Sequence, residues 1–396
     1  MEYDLELDRV RGQVESLGAR RVLLQLPDGL KGLRWCVVDE LEGCGVEVIV
    51  DGGHAWGVCD LALERARLLG ADALIHYGHL DVKRPLKLGG VSVVMAPARY
   101  RWESPEAALE RLADALAQFR VIALSSSVQH SDDLLLVARF LRERGHTVYI
   151  GRSPLPHFRV GQVVGCDVAA ASSVSAHVDA HVCVSGGIFH AVGVAIATGK
   201  PTIALDPYRG VVERERVEGF VRRLLARKLR DLSEAAEARA FAVIVSAKPG
   251  QRRLDLALRA VSELRRAGRR AELVVLDEVT RDELLNLSGV DALVNTACPR
   301  LGLDDLELFE GLTVVNIGEL KYIISDRLEE YDLRSALAWR MNPGFVSELA
   351  SGGALRRPAG QGGDRCPTRG ESHRCSSDAR RACRSGLPSL GRPEVG

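Results

Sequence analysis

Short apolar runs rich in valine, isoleucine and leucine alternate with longer stretches whose apolar residues recur at helical spacing. Runs at 22–26, 46–50, 72–77 and 91–95 predict four strands, and the helical pattern covers 4–17 and 30–43. Runs at 121–124, 147–150, 179–184 and 202–205 repeat the series, after a Ser104-Pro105 helix start. A third series follows a long basic helix at 211–238, with strands at 243–245, 273–276, 291–296 and 313–315. β-branched strands separated by helices point to parallel sheets wound by βαβ units.

The three series look like copies of one unit. Gly70-Ala71-Asp72-Ala73-Leu74-Ile75-His76-Tyr77 is echoed by His177-Val178-Asp179-Ala180-His181-Val182-Cys183-Val184 and by Gly289-Val290-Asp291-Ala292-Leu293-Val294-Asn295-Thr296. The three aspartates lie 107 and 112 residues apart, and each follows the first strand of its series by 50, 58 and 48 residues. Such even spacing predicts three similar Rossmann-like α/β domains with parallel four-stranded sheets, at 1–102, 103–210 and 211–345. The recurring aspartates read as strand-start or capping residues, since they stand in all three copies. Residues 351–396 hold nine Arg but no Lys, Ile, Phe, Tyr, Trp or Met, so 346–396 is expected to be a disordered tail. Its Cys366, Cys375 and Cys383 are spaced unlike any ordinary zinc knuckle.

Charge narrows the function by exclusion. Lys+Arg and Asp+Glu both total 53, which leaves no net field for nucleic acid or an anionic membrane. No run of about 20 apolar residues is present, and the acidic start Met1-Glu2-Tyr3-Asp4 is unlike a signal peptide. A cytoplasmic protein is expected, where nine cysteines suggest metal, catalysis or inert core rather than disulfides.

Three cysteines fall where a parallel sheet binds ligands, beyond the carboxyl ends of strands. Cys59 and Cys166 each follow the second strand of their series, and Cys298 follows the Asp-led strand of the third. Three thiolates are the usual protein share of an iron–sulfur cluster that keeps one iron open for a substrate. The competing reading is that they are buried, inert thiols, because no Cys-x-x-Cys pair or ferredoxin-type run is present. Cys36, Cys44 and Cys183 lie within or beside elements and read as small core residues. Gly186-Gly187 precedes a helix and suits either an anion site or a tight turn. His76 and His79 flank a strand end and read as structural histidines. The stretch Arg222–Lys228 reads as a solvated helix face. There is no phosphate-binding G-x-x-x-x-G-K-[ST] loop and no H-E-x-x-H motif.

Taken together, several of these stretches resemble the archaeal diphthamide synthase family, the 2-(3-amino-3-carboxypropyl)histidine synthases. They are Gly57-Val58-Cys59-Asp60-Leu61-Ala62, His76-Tyr77-Gly78-His79, Gly161-Gln162-Val163-Val164-Gly165-Cys166, Gly186-Gly187-Ile188-Phe189-His190, Ala197-Thr198-Gly199-Lys200-Pro201 and Asn295-Thr296-Ala297-Cys298-Pro299-Arg300. The resemblance covers about residues 5–340. It implies a three-domain homodimer in which Cys59, Cys166 and Cys298 hold a central [4Fe-4S] cluster. It further implies S-adenosylmethionine as substrate, translation elongation factor 2 as acceptor and an electron donor as partner, with no nucleic acid and no membrane. The catalytic chemistry would be borne by the cluster. Arg300, Gly186, Gly187 and His79 are the candidates for binding S-adenosylmethionine, Arg300 through the substrate carboxylate. A non-catalytic iron–sulfur subunit or redox sensor of the same fold, or a sugar- or nucleotide-binding α/β protein, are the alternatives. The chain departs from the family at His54-Ala55-Trp56, where relatives often carry a further cysteine, and after about residue 346.

Overall fold

The computed structural model describes residues 2–304 and 308–352. The chain falls into two compact units. Among the described residues, the first comprises 2–57, 62–101 and 348–352; the second comprises 58–61 and 102–347.

The first unit holds a sheet ordered Glu47–Val50, Arg21–Gln25, Ala73–Tyr77, Val91–Ala96, all parallel, with Leu86–Leu88 added antiparallel at one edge. The second unit holds two sheets. One runs Thr147–Ile150, Val121–Ser126, Ala180–Val184, Thr202–Asp206 in parallel, followed by antiparallel Val211–Glu213. The other runs Arg270–Leu276, Ala240–Ser246, Ala292–Asn295, Thr313–Asn316, entirely parallel. In each of these three sheets the four parallel strands take the order second, first, third, fourth of their series. The expectation of four strands per sheet therefore holds for the third, while the first two gain an antiparallel edge. Val211–Glu213 belongs to the second sheet and not to the long helix, which is Glu215–Glu237.

The repeated aspartate has one structural job in all three copies. Asp72 Oδ2 accepts the backbone N–H groups of Arg20 and Arg21 at 2.8 and 2.9 Å. Asp179 does the same for Arg120 and Val121, and Asp291 for Arg239 and Ala240. Each aspartate thus ties the start of the third strand to the start of the first. The backbone donors hold the carboxyls of Asp179 and Asp291 below the usual carboxylate range.

Two further expectations are corrected. Residues 346–351 lie within the helix Pro343–Ser351, where Phe345 and Leu349 are buried. Glu348 Oε2 accepts the Gly89 N–H at 2.9 Å, and Gly352 O accepts the Lys87 N–H at 3.2 Å. Phe345 and Leu349, four residues apart, share the buried face of that helix. The stretch ending at Lys228 is not wholly solvated either. Lys228 is fully buried, donating to Glu319 Oε2 at 2.8 Å and Val314 O at 3.0 Å. The remainder of the expected tail, with Cys366, Cys375 and Cys383, lies outside the described residues. No helix among the described residues is long and apolar enough to cross a membrane.

Candidate metal centre

The second unit brings Cys59, Cys166 and Cys298 within electrostatic reach of one another. Burial raises the Cys59 thiol to about 12, with the charge of Cys298 next in effect. Burial raises Cys166 well above the ordinary thiol value, and Cys59 and Cys298 add to it. Uncompensated thiolates at this spot would be desolvated and mutually repelling. A cationic metal group removes both penalties at once, so the donor set suits one.

Each cysteine is fixed by its own backbone. Cys59 sits in a single 3-10 turn, Val58–Asp60, facing the loop that follows the strand Ala240–Ser246. From that loop, Gly250 donates its N–H to Cys59 O at 2.9 Å, and Gln251 Nε2 donates to Cys59 Sγ at 3.3 Å. A Cβ on Gly250 would lie 2.5 Å from Cys59 Cα, so only glycine permits this approach. Lys248 Nζ reaches Asp60 Oδ2 at 2.8 Å and also pairs with Glu278.

Cys166 occupies a tight turn closed by reciprocal backbone hydrogen bonds between Val164 and Asp167. The segment before it bridges to the strand end at Ser126 through Gln162. Cys298 caps the 3-10 turn Pro299–Gly302. The buried amide Nδ2 of Asn295 donates to Cys298 O at 2.8 Å, and Asn316 Nδ2 donates to Pro299 O at 2.8 Å. Two asparagines on neighbouring strand ends thereby set the path of the Cys298 backbone.

The other predicted residues take internal partners. Arg300 is 4 % exposed. It donates to Asp304 Oδ1 at 2.7 Å and Phe189 O at 2.8 Å, and its guanidinium carbon stands 4.0 Å from the Phe189 ring centre. Its Cγ would be 3.3 Å from a Cβ on Gly165, so it packs beneath the Cys166 turn. Gly187 has φ +61° and donates its N–H to Asp206 Oδ2 at 2.9 Å, which puts a carboxylate of the chain itself at the glycine pair. A Cβ on Gly186 would meet the Tyr208 ring at 2.9 Å.

His79 lies in the first unit, at the end of the third strand of its sheet. Gln25 Oε1 accepts the Ala62 N–H at 3.2 Å, so its acceptor face also meets His76 Nδ1–H at 2.8 Å. His76 Nε2 is then left to accept from His79 Nδ1–H at 2.8 Å. Burial pushes His79 down to about 4 and His76 well below its usual value, so the relay is neutral. Of the cysteines read as core, Cys183 is fully buried, whereas Cys44 is exposed, a correction for a residue in a helix-end turn. Gln251, Lys248, Asn295 and Asn316 also bear on the cysteines, and no local sequence pattern marks them. Lys248-Pro249-Gly250-Gln251 shows only a turn signal, and its bearing on Cys59 arises from long-range folding.

The diphthamide synthesis protein family matches residues 26–333. The 2-(3-amino-3-carboxypropyl)histidine synthase of Pyrococcus horikoshii is 34% identical over 337 residues, covering 85% of this chain and 95% of that protein. Subunit 1 of the human synthase is 28% identical over 305 residues, or 76% of this chain and 68% of that protein. The crystal structure of Dph2 from Pyrococcus horikoshii with a 4Fe-4S cluster is similar with a TM-score of 0.73 at 32% identity, over 84% of this chain and 94% of that one. A match to three quarters of the chain, together with these relatives, makes this chain a member of the diphthamide synthesis protein family.

Proposed function

We propose that the chain is a 2-(3-amino-3-carboxypropyl)histidine synthase that catalyses the first step of diphthamide synthesis. It would transfer the 3-amino-3-carboxypropyl group of S-adenosylmethionine to a histidine of translation elongation factor 2, releasing methylthioadenosine. Cys59, Cys166 and Cys298 would hold a [4Fe-4S] cluster. When bound, such a cluster supplies one electron for radical cleavage of the sulfonium carbon–sulfur bond. The electron comes from a separate donor. The working form would be a cytoplasmic homodimer.

The observation that carries this reading is the mutual approach of three strand-end thiols from distant parts of the sequence. Among the described residues, no three His, Cys, Asp or Glu side chains are grouped to hold one metal ion. A four-iron cluster spreads its thiolates over separate irons and so suits a wider set. The chain's own groups do the orienting. Asn295 and Asn316 hold the Cys298 backbone. Arg300 links that segment to the Cys166 turn, and with Asp304 balancing its charge it serves better as a brace than as a carboxylate receptor.

The test is anaerobic incubation of the full chain with S-adenosylmethionine, dithionite and the elongation factor, followed by mass measurement of the factor. The expected result is a gain of one aminocarboxypropyl group, lost when the target histidine is replaced. An iron-loaded chain that leaves the factor unchanged would contradict transferase function and favour the non-catalytic iron–sulfur subunit.

A further inference from the structure

We propose that Gln251 tunes the reduction potential of the centre by donating a hydrogen bond to the Cys59 sulfur. This rests on the reading of Cys59 as a cluster ligand. Gln251 and Cys59 are 4 % and 7 % exposed, so water competes little for the bond. The donor atom Nε2 stands 3.3 Å from Sγ. A thiolate only accepts, so the amide must present its N–H side once the proton is gone.

The backbone around Gln251 leaves it little freedom. Gly250 N–H is bonded to Cys59 O at 2.9 Å, and Gly250 O accepts the Asn342 N–H at 2.8 Å. Gln251 N–H and Arg252 N–H both return to Lys248 O at 3.0 Å. The loop is therefore pinned to the cysteine on one side and to the segment at Asn342 on the other. The cation nearby is not the better candidate for tuning. Lys248 is already engaged by Asp60 and Glu278, whose two carboxylates offset its charge. That leaves the neutral amide as the group aimed at sulfur.

Reduction adds one negative charge that is shared with the thiolate sulfurs. A donor on sulfur stabilises the reduced state more than the oxidised one and raises the potential. Removing it should lower the reduced-to-oxidised ratio at fixed poise about tenfold, which for a one-electron couple is about 59 mV. Gln251 is a positioning residue in this account, since it acts through Cys59.

The experiment is an anaerobic potentiometric titration, followed by electron paramagnetic resonance, of the reconstituted full chain and of Gln251→Leu and Gln251→Glu. Leucine keeps the bulk and removes the donor; glutamate keeps the length and substitutes an acceptor. Both variants should load iron like the unaltered chain, with the midpoint more negative by about 59 mV for leucine and further for glutamate. An unchanged midpoint in an iron-loaded Gln251→Leu would overturn the proposal. If leucine loads poorly, the midpoint of the glutamate variant decides, and iron loss in both also overturns it, because the role would then be structural. Failure of the underlying reading looks different: Cys59→Ser would retain full iron and an unaltered spectrum.

Discussion

Replacing Gly250 by alanine puts a methyl group where the Cys59 backbone already stands. The new Cβ would lie 2.5 Å from Cys59 Cα and 2.6 Å from Cys59 Cβ, whereas ordinary contact begins at 3.4 Å. The two segments must therefore part by about 0.9 Å, the difference between those distances. Relief by moving the loop alone is restricted, because Gly250 O is held by Asn342 N–H at 2.8 Å. Metal–ligand distances tolerate only about 0.2 Å, so the shift is several times what a ligand set absorbs. Overpacking of this kind costs about 1–3 kcal/mol. The assay is iron and acid-labile sulfide per chain after anaerobic reconstitution, read beside thermal unfolding. Gly250→Ala should fold with a modestly lowered Tm and hold clearly less than a full complement of iron. Gly12→Ala is the control: nothing stands within 4 Å of its Cβ on the helix Leu7–Ser16, and it should raise stability by about 0.5–1 kcal/mol. A Gly250→Ala protein with full iron and an unchanged spectrum would refute the placement of Cys59 in the centre.

Lys228→Met leaves Glu319 buried without its cation and should cost about 3–5 kcal/mol in denaturant unfolding, with Glu319→Gln added in the double variant recovering part of it. Asp179 and Asp291 have depressed carboxyl pKa values, so their contribution is present above the unfolded carboxylate pKa and is lost as pH falls through the folded one. Acid unfolding of Asp179→Asn and Asp291→Asn should accordingly show a shallower loss of stability below about pH 4 than the unaltered chain. Cys183→Ala, a change within a fully buried strand, should leave iron content unchanged while lowering Tm; loss of iron without unfolding would show that the wrong thiols had been chosen.

The parallel strands and their threefold repetition were legible because a buried parallel strand needs a continuous apolar run. The aspartates at 72, 179 and 291 were legible as strand-start residues, and the structure gives them that role three times over. The antiparallel edges Leu86–Leu88 and Val211–Glu213 were not, since three residues carry too little periodicity to separate from a loop. Lys228 read as solvated because its neighbours are basic; only the fold brings Glu319 to it. Cys59, Cys166 and Cys298 could be singled out from strand-end placement and motif resemblance. The groups that hold them could not. Gln251 meets Cys59 across 192 residues, a contact that no local pattern encodes. Arg300 was legible by its chemistry, which suits a substrate carboxylate; that it also pairs with Asp304, four residues on, is visible only in the fold.

The most direct test of the central claim is iron and sulfide content, with Mössbauer spectra, for the anaerobically reconstituted chain and for Cys59→Ser, Cys166→Ser and Cys298→Ser. The expected result is a [4Fe-4S] centre in the unaltered chain and a diminished or altered centre in each of the three variants. A full, spectroscopically unchanged centre in any one of them would contradict it.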